Sequence, residues 1–89
     1  MVNISYEIIN QIKEASDDSH VKIIIENSFQ KLNVKKINGF SARRRFMMNM
    51  VMALRYVKAE GLHPKASQNV STAIEIIEQL RKQEYSNLF

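Results

Sequence analysis

Glu60-x-x-His63 has the Glu-x-x-His step that helical di-iron sites use in duplicate. Here the step occurs once and straddles Gly61, a helix-stopping residue. The spacing therefore predicts a chance pair at a helix end and no metal site. His20, beside Asp17 and Asp18, reads as a polar residue of a helix cap rather than a ligand. The chain has no cysteine, which removes thiolate ligands, thiol nucleophiles and disulfides together. Serines stand at 5, 16, 19, 28, 41, 67, 71 and 86, none of them in a Gly-x-Ser-x-Gly turn, and no glycine-rich phosphate loop is present. Glu78 has Arg81 and Lys82 three and four residues on, the spacing of charge pairs along an exposed helix face. These residues predict no catalytic site, no cofactor, no metal and no small-molecule substrate, so the chain is expected not to be an enzyme.

What remains is charge, and it is unevenly placed. The 89 residues carry a formal +4. Residues 1–26 hold five acids and two bases, residues 27–59 hold eight bases and no acid, and residues 60–89 hold four acids and three bases. The middle block includes Lys31, Lys35, Lys36 and the run Arg43-Arg44-Arg45, followed directly by the apolar "FMMNMVMAL". Such a block suits an anionic partner, whether nucleic acid, phospholipid headgroups or an acidic protein face. Arginines in the first turn of a helix oppose its macrodipole, at a cost of some tenths of a kcal/mol per charge (~0.3 or more). Their presence predicts either an acid partner from the first helix or an anionic surface that the protein meets.

The elements that position these residues are helical. Two glycines and one proline are too few for the repeated turns of a β protein, and Lys, Glu, Gln, Ala, Met and Leu all favour helix. The spacing of apolar residues predicts helices over residues 4–15, 20–33, 41–60 and 64–85, with a tail at 86–89. Their apolar faces are Ile4, Ile8, Ile9, Ile12 and Ala15; then Val21, Ile24, Ile25, Ser28, Phe29 and Leu32. Met47, Met50, Val51, Leu54 and Val57 follow in the third helix, and Ala66, Val70, Ala73, Ile77 and Leu80 in the fourth. Ser5 and Ser41 read as N-caps, Gly61 as a C-terminal turn and Pro64 as a first-turn proline. Phe46, Met48, Met52 and Tyr56 lie off the third seam, and the sequence predicts that a wide arc of that helix buries them. Short connections make sequential helices antiparallel, so the expected fold is all-α, an antiparallel up-down four-helix bundle forming a single domain over 1–89.

No stretch approaches the roughly 20 apolar residues that span a bilayer, and the opening residues have neither a basic nor a sustained apolar region of a secretory signal. A cytoplasmic protein is expected. A helix-turn-helix reading fails on the loop, since "NVKKINGF" exceeds the motif's turn of about 3–4 residues. The third helix is also too apolar to lie freely in a major groove. A small basic nucleic-acid-binding regulator and an interaction bundle of unknown partner are the alternatives to the reading that follows.

From about Phe29 onward the chain resembles the immunity proteins of class IIa (pediocin-like) bacteriocins. The matching features are "SFQKL" closing the second helix, a lysine-containing loop, an Arg-headed apolar helix ending "YVKAEGL", the polar "HPKASQ" and the last helix "STAIEIIEQL". The N-terminal segment is shorter than in many members. The resemblance implies a four-helix bundle and a cytosolic, non-enzymatic protein that protects the producing cell from its own pore-forming peptide. It implies action at the membrane receptor, the mannose phosphotransferase permease with bound bacteriocin, and specificity residing in the C-terminal half. Carried over by position, the partner-binding residues are Arg81, Lys82, Tyr85, Leu88 and Phe89. Lys35, Lys36, Arg43, Arg44 and Arg45 would face the inner leaflet or the receptor's cytoplasmic surface.

Overall fold

The computed structural model describes the backbone of residues 2–34 and 40–86 and the side chains of residues 6–31 and 43–83. Four helices follow in order: α1 (Val2–Lys13), α2 (Asp18–Val34), α3 (Phe40–Ala59) and α4 (Pro64–Ser86). Lys35, Lys36, Leu88 and Phe89 lie outside the described residues, as do the side chains of Tyr85, Ile4, Leu32, Ser5 and Ser41.

The helix ends differ from the sequence expectation for local reasons. α1 starts at Val2, so Ser5 falls inside the helix rather than capping it. It stops at Lys13, two residues early, because the Ala15 N–H turns back to the Ile12 carbonyl at 3.2 Å, a tightened final turn. α2 opens at Asp18 instead of residue 20. Asp17 is its N-cap, with a carboxylate oxygen accepting from the His20 N–H at 2.9 Å. His20 Nδ1 in turn accepts from the N–H of Ser16, the residue before the N-cap, at 3.1 Å. His20 is thus a cap residue, as expected. α3 begins one residue early, at Phe40, which places Ser41 in its first turn rather than ahead of it. Gly61 ends α3 with φ of +96°, and its N–H bonds the Lys58 carbonyl at 3.2 Å. Pro64 occupies the first position of α4, with the His63 carbonyl accepting from Ser67 at 2.8 Å.

The apolar periodicities meet in one core. Ile8, Ile9, Ile12 and Ala15, then Val21, Ile24, Ile25 and Phe29, are buried from the first half of the chain. Met47, Met50, Val51 and Leu54 of α3 face Val70, Ala73 and Ile77 of α4. The run Ile23-Ile24-Ile25, strand-like in isolation, is helical, with Ile24 and Ile25 inside and Ile23 exposed. Side-chain neighbours set the directions. Ile8, Ile25, Met47 and Ile77, one from each helix, line a single internal void of about 10 Å³. At the opposite end Lys58 reaches Ser71, Asp18 reaches Thr72, and Lys13 and Ala15 reach Asn69. Sequential helices therefore run antiparallel and α2 runs parallel to α4, the up-down arrangement of a four-helix bundle. α4 packs against all three other helices, and α2 lies closer along its length to α4 than to α3.

Candidate interaction face on the third helix

The Arg43-Arg44-Arg45 run divides by the geometry of one helical turn. Arg43 is half-buried, and its guanidinium carbon lies 5.0 Å from the centroid of the Phe29 ring. Phe29 in turn meets Phe46 edge-on, at 5.6 Å between centroids and 78° between planes. A cation on the electron-rich face of an edge-packed aromatic pair is an attractive arrangement. It ties the start of α3 to the end of α2 and offsets the macrodipole cost of that arginine. One partner of Arg43 is thus an aromatic ring of α2. Arg44 and Arg45 are exposed.

Beyond them the outward side of α3 departs from expectation. Phe46 is half-buried against the core, as predicted. Met48, Met52 and Tyr56 are not buried: they are 39%, 66% and 69% exposed. The physical reason is α4. It takes the inner side of α3 along the Met47–Leu54 seam and leaves no helix to cover the opposite arc. With about 100° between successive residues, Arg45, Met48, Met52 and Tyr56 fall in one row, flanked by Asn49 and Arg55, all exposed. The Glu60 carboxylate accepts a hydrogen bond from the Tyr56 hydroxyl, and with its negative charge this raises the Tyr56 pKa above its ordinary 10.0. Among the described residues no group of three or more His, Cys, Asp or Glu is placed to hold a metal.

At α4 the expected charge pair is present: Arg81 Nη1 lies 3.7 Å from Glu78 Oε1, both side chains partly exposed. Such a pair contributes little to stability. Lys82 is exposed. The antiparallel register that sets Met47 and Ile77 on one void brings the start of α3 and the end of α4 to the same end of the bundle. Arg43, Arg44, Arg45, Arg81 and Lys82 thus share that end.

Two open grooves flank the helices. One, of about 580 Å³ between α3 and α4, is lined by Arg55, Lys58, Ala59, Ser71, Ile74 and Glu75. The Lys58 ammonium donates to Ser71 Oγ across it at 2.6 Å. The other, of about 420 Å³ between α1 and α2, has Gln11, Asn27, Gln30 and Lys31 on its walls.

Sequence reasoning also passed over Asn69. It is fully buried, and its Nδ2 donates to the carbonyls of Ala15 at 2.8 Å and Lys13 at 3.4 Å. The first belongs to the turn after α1 and the second to its last residue, whose carbonyl has no partner within the helix. The signal was available: Asn69 stands between Ala66 and Ala73, on the side of α4 that Val70 and Ile77 place in the core. Its Oδ1 has no hydrogen-bond partner among the described residues. Comparison with known proteins finds no matching family model, no similar curated protein and no similar solved structure.

Proposed function

We propose that this chain is a bacteriocin immunity protein of the pediocin-like type. In this reading it protects the producing cell by a non-catalytic interaction with the mannose phosphotransferase permease and its bound bacteriocin. It acts in the cytoplasm, peripheral to the inner face of the cell membrane, and its C-terminal half selects the bacteriocin. The observation that carries the reading is the correspondence of the segment from "SFQKL" to "STAIEIIEQL" with that family's succession of elements. The four-helix bundle is compatible with it. A contact role is supported by the row Arg45, Met48, Met52 and Tyr56, which faces outward from the bundle, and by Arg81 and Lys82 at the end where that row begins.

The test is expression of the chain in a strain sensitive to pediocin-like peptides, challenged with a panel of them. Resistance to one peptide and not to the others is the expected result. Unchanged sensitivity to every member of the panel, with the chain present as folded protein, overturns the reading.

A further inference from the structure

We infer that the outward face of α3 is a docking surface for an anionic lipid bilayer, with Arg45 and Arg55 on headgroup phosphates and Met48, Met52 and Tyr56 seated at the interface. The membrane fits the proposed function, but the face and its chemistry stand without it.

Three observations select this occupant. The first is charge: α3 carries Arg43, Arg44, Arg45, Arg55 and Lys58 and no acid between Phe40 and Ala59. The nearest following acid, Glu60, lies beside Tyr56 at the end of the row. An anionic surface laid along this face meets Arg45 and Arg55 along the row, with the Glu60 carboxylate at its far end and Glu75 across the groove from Arg55. The second is side-chain chemistry. Large exposed apolar residues elsewhere in the described chain stand singly, Tyr6 on α1 and Ile23 on α2, as scattered surface apolar residues ordinarily do. On α3 they form a row at four-residue spacing, with arginine at its head and beside it. Methionine is deformable, and tyrosine has an apolar body with a polar tip; with flanking arginines they are the residues of helices that lie in the plane of an interface.

The third is shape. From Arg45 to Tyr56 the row spans about 17 Å of a convex ridge at 1.5 Å per residue. Three apolar side chains on one ridge offer on the order of a few hundred Å², while a specific protein complex buries about 1,200 Å² or more. A bilayer has no such threshold, because each added basic residue strengthens attraction on its own.

The test floats the full chain with vesicles of phosphatidylcholine alone or mixed with phosphatidylglycerol. The chain is expected to float with the anionic vesicles, to stay behind with the neutral ones, and to be released as salt is raised. The double variant Arg45→Gln, Arg55→Gln should weaken partitioning about twenty-five-fold, roughly fivefold for each arginine. Met48→Ser with Met52→Ser should weaken it further in combination, while Ile23→Ser, on α2, leaves it unchanged. All five positions are exposed, so each variant is first shown by circular dichroism to keep the wild-type helix content and melting curve. No flotation with anionic vesicles at low salt overturns the inference, and so does flotation indifferent to both α3 double variants. Retention of duplex DNA or RNA without retention of vesicles overturns it in favour of nucleic acid. A chain that floats as expected yet protects no strain keeps this inference and loses the immunity reading.

Discussion

Asn69 shows how one polar side chain can organise a helix end. The last carbonyls of α1 cannot be satisfied within the helix, and Asn69 reaches from α4 the carbonyl of Lys13, where α1 ends, and that of Ala15 in the turn just beyond. Asn69→Ala removes that donor from a buried site, where a lost hydrogen bond costs about 1–3 kcal/mol. Urea unfolding should show a loss of that size, and amide exchange should accelerate first at the end of α1. An unchanged midpoint would mean that the unpartnered Oδ1 already cancels what Nδ2 contributes. At the same scale, Tyr56 titrates late because the Glu60 carboxylate accepts its hydrogen bond and repels the phenolate. Its folded-state pKa lies above the unfolded value, so what the contact adds to stability is present below that value and is lost as pH rises through the folded one. Glu60→Gln should move the tyrosine nearer its ordinary 10.0, read as an earlier rise in phenolate absorbance.

At the scale of elements, boundaries are set by single contacts that compete with propensity. Asp17 starts α2 ahead of the first apolar residue because its carboxylate accepts the His20 N–H. Gly61 ends α3 because φ of +96° is accessible to glycine and strained for residues with a Cβ. A Cβ there would meet nothing within 4 Å, so the cost of Gly61→Ala is purely conformational. About 1 kcal/mol of destabilisation is expected, measured as a lower melting temperature with helix content unchanged. The Arg43–Phe29–Phe46 arrangement ties the start of α3 to the end of α2. An aromatic face holds a guanidinium where a macrodipole alone would repel it.

For the molecule as a whole, α4 is the element that the other three share. Ile77 stands at its centre, 2% exposed, on a void lined from all four helices. Truncation there removes contacts to every element at once and enlarges a space that already exists. Ile77→Ala should cost about 2–5 kcal/mol, and α1, α2, α3 and α4 should lose protection together in amide exchange. If α3 and α4 alone lost protection, the bundle would be two cooperative units rather than one. The same central placement of α4 exposes the outer arc of α3, so packing and the interaction face have one cause.

The number of helices, their main apolar seams among the described residues and their antiparallel order were legible in the sequence, because each depends on periodicity within a segment and on short connections. Ile12, Leu54 and Ile77 were placed in the core from spacing alone, and the structure buries all three. Gly61 and Pro64 were legible too, since backbone conformation at those residues is a local matter. What lies between segments was not. Whether Met48, Met52 and Tyr56 are covered depends on how many helices surround α3, and no pattern within α3 encodes that number. Asn69 carried a signal, a polar residue on an apolar side, but its partners are carbonyls 54 and 56 residues away. Arg43 found Phe29 for the same reason: periodicity assigns a residue to a face, and only the packed chain decides what that face meets.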